Sequence, residues 1–360
     1  MLKLLLLTVV GLLVAGLLVA CTEVGYYAQC ARGHLEVMSR CQSIDALLAG
    51  NSLSEQRRTQ LTTIQKARDF ASTALGLPDN GSYRKFADLE RPYVVWNVVA
   101  VPEFSLEAKK WCFPVAGCVS YRGYFEEAAA RHEADRLAGE GYETDLYGVQ
   151  AYSTLNWFDD PVLNTFLDGP ELRAVALVFH ELAHQVVYVA DDSRFNEAFA
   201  RTVELEGIRR WLEHSGTADD WQQYQLHAGR VAEFQEMLLK TRERLAALYA
   251  GPLADSAKRQ GKAEILAATK AAYRALKDSW GGYAGYDAWM SRGLNNARLA
   301  SVATYHDLVP AFQGLLAAKD GDLRAFYRQV KALGALPPPE RLAQLDSYVG
   351  WVQAKAGKDM

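Results

Sequence analysis

Two histidines four residues apart enclose a glutamate in His180-Glu181-Leu182-Ala183-His184. On an α-helix, positions i and i+4 lie one turn apart on the same face. Both imidazoles can then approach one Zn²⁺ at about 2.0–2.1 Å. Glu181 follows the first imidazole and projects toward the same side, where a carboxylate can hold a water molecule and take its proton. The chemistry this predicts is hydrolysis. Zinc lowers the pKa of its water to about 7, and Glu181 accepts the proton and passes it to the leaving amine. The surrounding segment is apolar, so two imidazoles and a carboxylate buried there without partners would cost several kcal/mol.

A catalytic zinc needs a third protein ligand and one open position. Glu197, in Asn196-Glu197-Ala198-Phe199-Ala200, is the expected third ligand. The connection from Ala190 to Arg194 is short, so the two flanking helices must pack as neighbours and carry Glu197 back toward His180 and His184. Glu204 and Glu206 stand two turns deeper, where a solvated face is the plainer account, and Asp191 at the end of the first helix is a weaker rival. A second donor to the oxyanion is expected from Tyr305 or His306; a core tyrosine with a satisfied hydroxyl is the structural alternative for Tyr305. Glu103, Asp159 and Asp160 are candidates to meet a substrate ammonium, and Arg122 could meet a substrate carboxylate or pair within the fold. The stretch Tyr152 to Asn156 could pair with substrate backbone along its edge. His132-Glu133 has Arg136 where a second histidine would be needed, and is given no role.

The elements that must position these groups are legible in outline. Pro170 suits the first position of a helix and Glu171 its positive end. The apolar run from Leu172 to Val189 predicts a helix buried on every side, and a second helix is predicted from after Ser193 to about His214. Residues 22–77 read as helices broken at Gly50-Asn51-Ser52. Tyr93 to Val101 reads as a strand rich in β-branched and aromatic residues. Trp111 to Phe125 reads as extended chain around a turn, Phe125 to Gly139 as a short helix, and Tyr142 to Leu155 as extended. Beyond Gly216, two long amphipathic helices separated by Gly251-Pro252 predict an antiparallel hairpin. The expected fold class is α+β, predominantly helical, with a small sheet packed by the HExxH helix and a C-terminal helical part. Residues 21–215 form the core and 216–360 complete the cleft.

The chain has 360 residues, half of them hydrophobic, a net charge of −4 and a pI near 6.0. That balance excludes the basic patch of a nucleic-acid binder. Residues 1–20 read as a signal peptide, apolar from Leu4 to Ala20 apart from Thr8. Leu18-Val19-Ala20-Cys21 resembles a bacterial lipobox, with cleavage before Cys21, acylation of its thiol and a membrane anchor there. A short transmembrane helix and soluble secretion are the alternatives. Thr22 stands where an aspartate would signal inner-membrane retention, so the expected place is the outer membrane, facing the periplasm. In that oxidising compartment Cys112 and Cys118, around a turn-like insert, are expected to form a disulfide, closing a loop worth about 2–2.5 kcal/mol in the chain-entropy model. Cys30 and Cys41 would sit about 16 Å apart on one continuous helix, so their state stays open.

HELAH followed by NEAFA is similar to the gluzincin metallopeptidases, in which a glutamate on the following helix completes the zinc site, often just after an asparagine. The run Trp111 to Phe125, Tyr152-Ser153-Thr154-Leu155, the HELAHQ run and Leu294-Asn295-Asn296-Ala297 resemble a narrower group, the bacterial putative aminopeptidases. The likeness spans nearly the whole chain after Cys21. It implies a zinc peptidase, an aminopeptidase by family name, acting on peptides. The chain lacks a Gly-Ala-Met-Glu-Asn stretch of the kind that holds a free substrate N-terminus. The alternative from another class is a catalytically idle zinc-binding envelope lipoprotein with an assembly or binding role. Glu181 separates the two, since a purely structural site closes its fourth position with protein.

Overall fold

The computed structural model describes residues 23–113, 117–154, 157–216, 218–303 and 308–349. Cys21, Tyr305 and His306 lie outside the described residues, as do the rest of the leader and Leu155-Asn156. In chain order, helix α1 covers 23–39, followed by β1 (Gln42–Ser43), α2 (Ile44–Ala49), α3 (Glu55–Thr73) and β2 (Lys85–Ala87). Then come β3 (Val95–Pro102), β4 (Trp111–Phe113), β5 (Gly117–Val119), β6 (Arg122–Tyr124), α4 (Glu127–Gly139) and β7 (Tyr142–Val149). Next are β8 (Val162–Leu163), α5 (Asn164–Leu167), α6 (Glu171–His184) and α7 (Ser193–Ser215). The rest is helical: α8 (Ala218–Ala250), α9 (Asp255–Ser279), α10 (Asp287–Ser291), α11 (Asn296–Ala303), α12 (Val309–Ala318), α13 (Leu323–Gly334) and α14 (Pro338–Asp346). The chain is predominantly helical with small sheets, an α+β composition.

The central sheet is antiparallel, in the order β6-β3-β7. Strand β3 explains why its sequence does not alternate between apolar and polar. Val98 and Ala100 turn one way, against Ala130, Ala134 and Leu137 of α4. Val99 and Val101 turn the other way, against Ala297 and Ala300 of α11. A strand covered on both faces reads as a continuous hydrophobic run. Val95 and Asn97 share the α11-facing side of the strand but lie beyond that helix, where they line a cavity.

Helix α6 is packed by α3 and α7. It shares the main core with β2 and β8 of the smaller sheet, while the cavity separates it from the central sheet, whose faces are taken by α4 and α11. The main core brings Leu61 and Ile64 of α3, Val178 and Phe179 of α6 and Phe195 and Phe199 of α7 together. Helices α12 to α14 return to this same core: Phe312 meets Phe195 edge to face at 5.0 Å, and Phe326 stacks on Phe199 at 5.8 Å. Helices α8 and α9 make a separate cluster around Leu238, Leu245, Ile265 and Tyr273, with the Thr241 and Thr269 hydroxyls bonded at 2.8 Å across it.

Candidate metal centre

The α6 helix ends earlier than its apolar pattern suggests. His184 is its last residue and Gln185 caps it, so the motif closes the helix instead of lying in its middle. The chain then turns through residues 185–192 and re-enters helix at Ser193, where the Asp192 side chain accepts a hydrogen bond from the Phe195 N–H at 3.1 Å. Asn196, buried at the start of α7, clamps this connection. Its Oδ1 accepts from the Val189 N–H at 2.8 Å and its Nδ2 donates to the Val189 carbonyl at 2.7 Å. The residue after that clamp is Glu197.

Three donor atoms converge as a result. His180 Nε2 lies 3.2 Å from His184 Nε2 and 3.2 Å from Glu197 Oε2, and His184 Nε2 lies 3.7 Å from the same oxygen. Ligands of a tetrahedral zinc at about 2.0–2.1 Å stand about 3.3–3.4 Å apart, which is the scale of these separations. His180 Nδ1 bonds Glu204 Oε2 at 3.1 Å, and Arg201 bonds the other oxygen of Glu204. With a proton on Nδ1 for Glu204, the Nε2 lone pair of His180 points at the Glu197 carboxylate and at His184. His184 Nδ1 is buried and has no hydrogen-bond partner among the described residues. Lone pairs aimed at one point repel unless a cation stands between them, and the donor set of two imidazoles and a carboxylate suits a divalent ion. These three residues could hold a metal.

The same carboxylates attract a proton as they would attract a metal ion. Burial opposes a charge on His180, yet its bonds to Glu197 and Glu204 outweigh it and raise the imidazole to about 10. Burial likewise opposes a charge on Glu197, and His184 and His180 overcome it, holding the carboxyl far below its usual range. The centre therefore favours positive charge. Glu181 behaves differently: burial pushes its carboxyl up, against the pull of both histidines.

Glu181 lines a cavity of about 880 Å³ together with His180, His184 and Glu197. Across from α6, the walls come from the sheet and from the disulfide hairpin formed by β4 and β5. Cys112 and Cys118 are joined, and Tyr121, just past the hairpin, lines the cavity. Burial, followed by the nearby Glu197 carboxylate, pushes the Tyr121 phenol well up. Tyr147 and Tyr188 also line it, and burial pushes the Tyr147 phenol up to about 12. The hairpin is tied to the α6–α7 connection by Asp191, whose Oδ1 accepts the Cys118 N–H at 2.6 Å. Gly117 has φ +72°, and a Cβ there would stand 2.6 Å from that carboxylate.

The cavity's extended wall is β7. Its neighbour on one side is β3; on the other, the Thr144 carbonyl accepts from Asn295 at 2.9 Å and the Leu146 carbonyl accepts from Arg292. Even-numbered residues of β7 therefore turn their backbone groups outward, and Gly148 continues that series where the strand borders the cavity. A Cβ on Gly148 would stand 2.2 Å from the Tyr93 ring. Among the described residues β7 is thus an edge strand bordering the cavity, as is β6, whose Gly123 also lines it. Tyr152 to Thr154, expected to be such an edge, are not strand, because Ser153 and Thr154 are folded onto buried Asp160 by bonds of 2.8–3.2 Å.

The remaining candidates are committed elsewhere. Glu103 pairs with Arg259 at 2.6 Å, and Asp159 is turned against Gly81. Neither they nor Asp160 line the cavity, whose carboxylates are Glu181, Glu197 and Glu204. Arg122 stacks on Tyr26 at 3.9 Å and pairs with Glu23 at 3.0 Å, a contact within the fold. Glu206 is held by Arg209 and Arg210. Cys30 and Cys41 are free thiols. Glu204 was read in the sequence as solvated, but it is bonded to His180; its spacing of seven from Glu197, two turns on one helix face, is the signal that could have found it. Tyr121 lies in the run Trp111 to Phe125, but no spacing singled it out, since the hairpin's folding brings it to the cavity.

A cavity in which a half-buried carboxylate adjoins three convergent metal-type donors has the makings of a hydrolytic site. The chain belongs to the family described as "Putative aminopeptidase", whose model matches residues 25–345. Neither the curated proteins nor the solved structures include a match to it.

Proposed function

We propose that this chain is a zinc-dependent aminopeptidase in which His180, His184 and Glu197 hold the metal. The observation that carries the reading is the convergence of those three donors beside Glu181 in one cavity. Zinc, when bound, supplies Lewis acidity toward a carbonyl oxygen and acidifies water.

The chain's own groups do the rest. Glu181 accepts a proton from the attacking water and hands it to the leaving nitrogen; burial raises its pKa above that of an ordinary carboxyl, which makes it a better base. Tyr121 keeps its phenolic proton and donates it in a hydrogen bond to the carbonyl oxygen as charge develops there. The same part was expected of Tyr305 or His306, which lie outside the described residues. Glu204 fixes the tautomer and orientation of His180. The open edge of β7 at Gly148 receives the substrate backbone. Cys21 is read as the acylated residue that anchors the protein at the envelope membrane.

The test is metal content together with cleavage of amino-acid arylamides by the wild type and Glu181→Gln. The expected result is one zinc per chain in both and activity in the wild type alone. A chain that takes up zinc but shows no activity that Glu181→Gln removes would be an idle binding protein, and the proposal would fall.

A further inference from the structure

Helix α1 has two unlike faces. The inner face carries Tyr26 and Cys30, which line the cavity, and Gly33, where an added Cβ would stand 2.1 Å from the Phe125 ring. The outer face carries Val24, Tyr27, Ala28, Ala31 and Leu35, all exposed. Their spacing of three and four residues makes one apolar stripe along the helix. Val24 and Leu35 are 69% and 67% exposed. The stripe continues beyond α1, because His34 packs its ring against Phe158 at 4.6 Å, and Phe158 and its neighbour Trp157 are 51% and 67% exposed. Single exposed apolar residues are ordinary, but a tryptophan, a phenylalanine and a helical stripe side by side are a surface that needs an occupant.

The sequence names the occupant. The apolar run ends at Ala20, four residues before Val24. It has no polar side to show to water, so it could not cover α1 and remain solvated itself. Retained, it would lie in lipid; replaced by acylation at Cys21, it would leave a chain anchored in lipid at the same place. Either of these fates puts a bilayer within about 14 Å of the start of the stripe, whereas soluble secretion would leave a chain that does not associate with vesicles. The charges around the stripe do not oppose this. Glu23 is paired with Arg122, and Glu36 with Arg40 and Arg91. Arg32, exposed beside the stripe, has no acidic partner among the described residues. No helix among the described residues is long and apolar enough to cross a membrane.

We propose that the outer face of α1, with Trp157 and Phe158, lies in the headgroup layer of a phospholipid bilayer. Tyrosine and tryptophan at the rim of an apolar stripe suit that layer. Since the inner face of α1 walls the cavity, docking sets the cavity about one helix diameter, about 10–12 Å, from the membrane. The inference stands apart from the chemistry at His180 and needs only the leader's membrane-directing character.

The test uses the full chain reconstituted on vesicles of equal parts phosphatidylcholine and phosphatidylglycerol, with and without brominated acyl chains. The expected result is bromine quenching of tryptophan fluorescence, most of it lost in Trp157→Phe and reduced in Val24→Ser/Leu35→Ser, with unchanged circular dichroism in each. Equal quenching of wild type and Trp157→Phe would overturn the proposal, as would a chain that does not associate with the vesicles. A Val24→Ser/Leu35→Ser chain that converts a dimer to a monomer and leaves quenching unchanged would assign the stripe to a second copy, and so overturn it too.

Discussion

The Asn196 side chain bonds both backbone groups of Val189, accepting at 2.8 Å and donating at 2.7 Å. These two bonds hold the turn that separates α6 from α7, and so determine where Glu197 stands relative to the histidines. In Asn196→Ala, a half-buried N–H and a half-buried carbonyl lose their partners, at about 1–3 kcal/mol each if water does not replace them. The expected result is a chain destabilised by about 2–4 kcal/mol with at least tenfold weaker zinc binding. Chemical denaturation and chelator competition measure the two. Undiminished zinc affinity in a destabilised chain would mean the clamp serves the fold alone.

Glu204 reaches His180 from the far side of the ring. Removing such a partner from a metal-ligating histidine weakens metal binding or activity by about 10–100-fold. Glu204→Ala is expected in that range, with Glu204→Gln milder because its carbonyl still accepts the Nδ1–H. Equal zinc affinity in wild type and both variants would remove Glu204 from the site.

Tyr121→Phe deletes one hydroxyl. If that hydroxyl meets the developing oxyanion, kcat falls by about 10²–10³ while KM changes little. A rise in KM at constant kcat would make Tyr121 a binding residue instead.

The disulfide hairpin carries part of the cavity wall and is tied to Asp191. Cys112→Ser/Cys118→Ser is expected to lose about 2 kcal/mol of stability and to raise KM, since Phe113, Val119 and Tyr121 line the cavity. A thermal melt and a substrate titration of the same preparation read both effects.

His34 bonds the Tyr152 hydroxyl at 2.8 Å, and burial lowers its imidazole below the ordinary 6.5 despite the pull of Asp160. A basic group depressed in the folded state binds protons more readily when unfolded. Its contribution is therefore complete above pH 6.5 and is lost as pH falls through the lower folded value. Melting temperatures recorded from neutral to mildly acidic pH should drop for the wild type and drop less for His34→Gln. Parallel curves would exclude the contribution.

Much of the site was legible because its logic is local. Two histidines one turn apart need only a helix, and a short connection brings the next helix's Glu197 alongside. The end of α6 was not legible, because Val186, Val187 and Val189 continue an apolar pattern that fits a helix equally well. They bury themselves in the turn, with Val187 in the main core. The sheet's relation to α6 was also hidden: which helix covers a strand depends on contacts between distant residues, such as Val99 with Ala297. For the same reason, the return of α12 to α14 onto α7 does not show in their amphipathic spacing.

Because α6 stops at His184, the three donors straddle a joint between two rods and are not carried by one of them. Loading the ion and seating α7 on α6 would then be a single event. An ion held at a thousand times its dissociation constant would add about 4 kcal/mol of resistance to unfolding. A chelator should accordingly soften the whole α6–α7 corner, hairpin included, and protease sensitivity at residues 185–192 would report how full the site is.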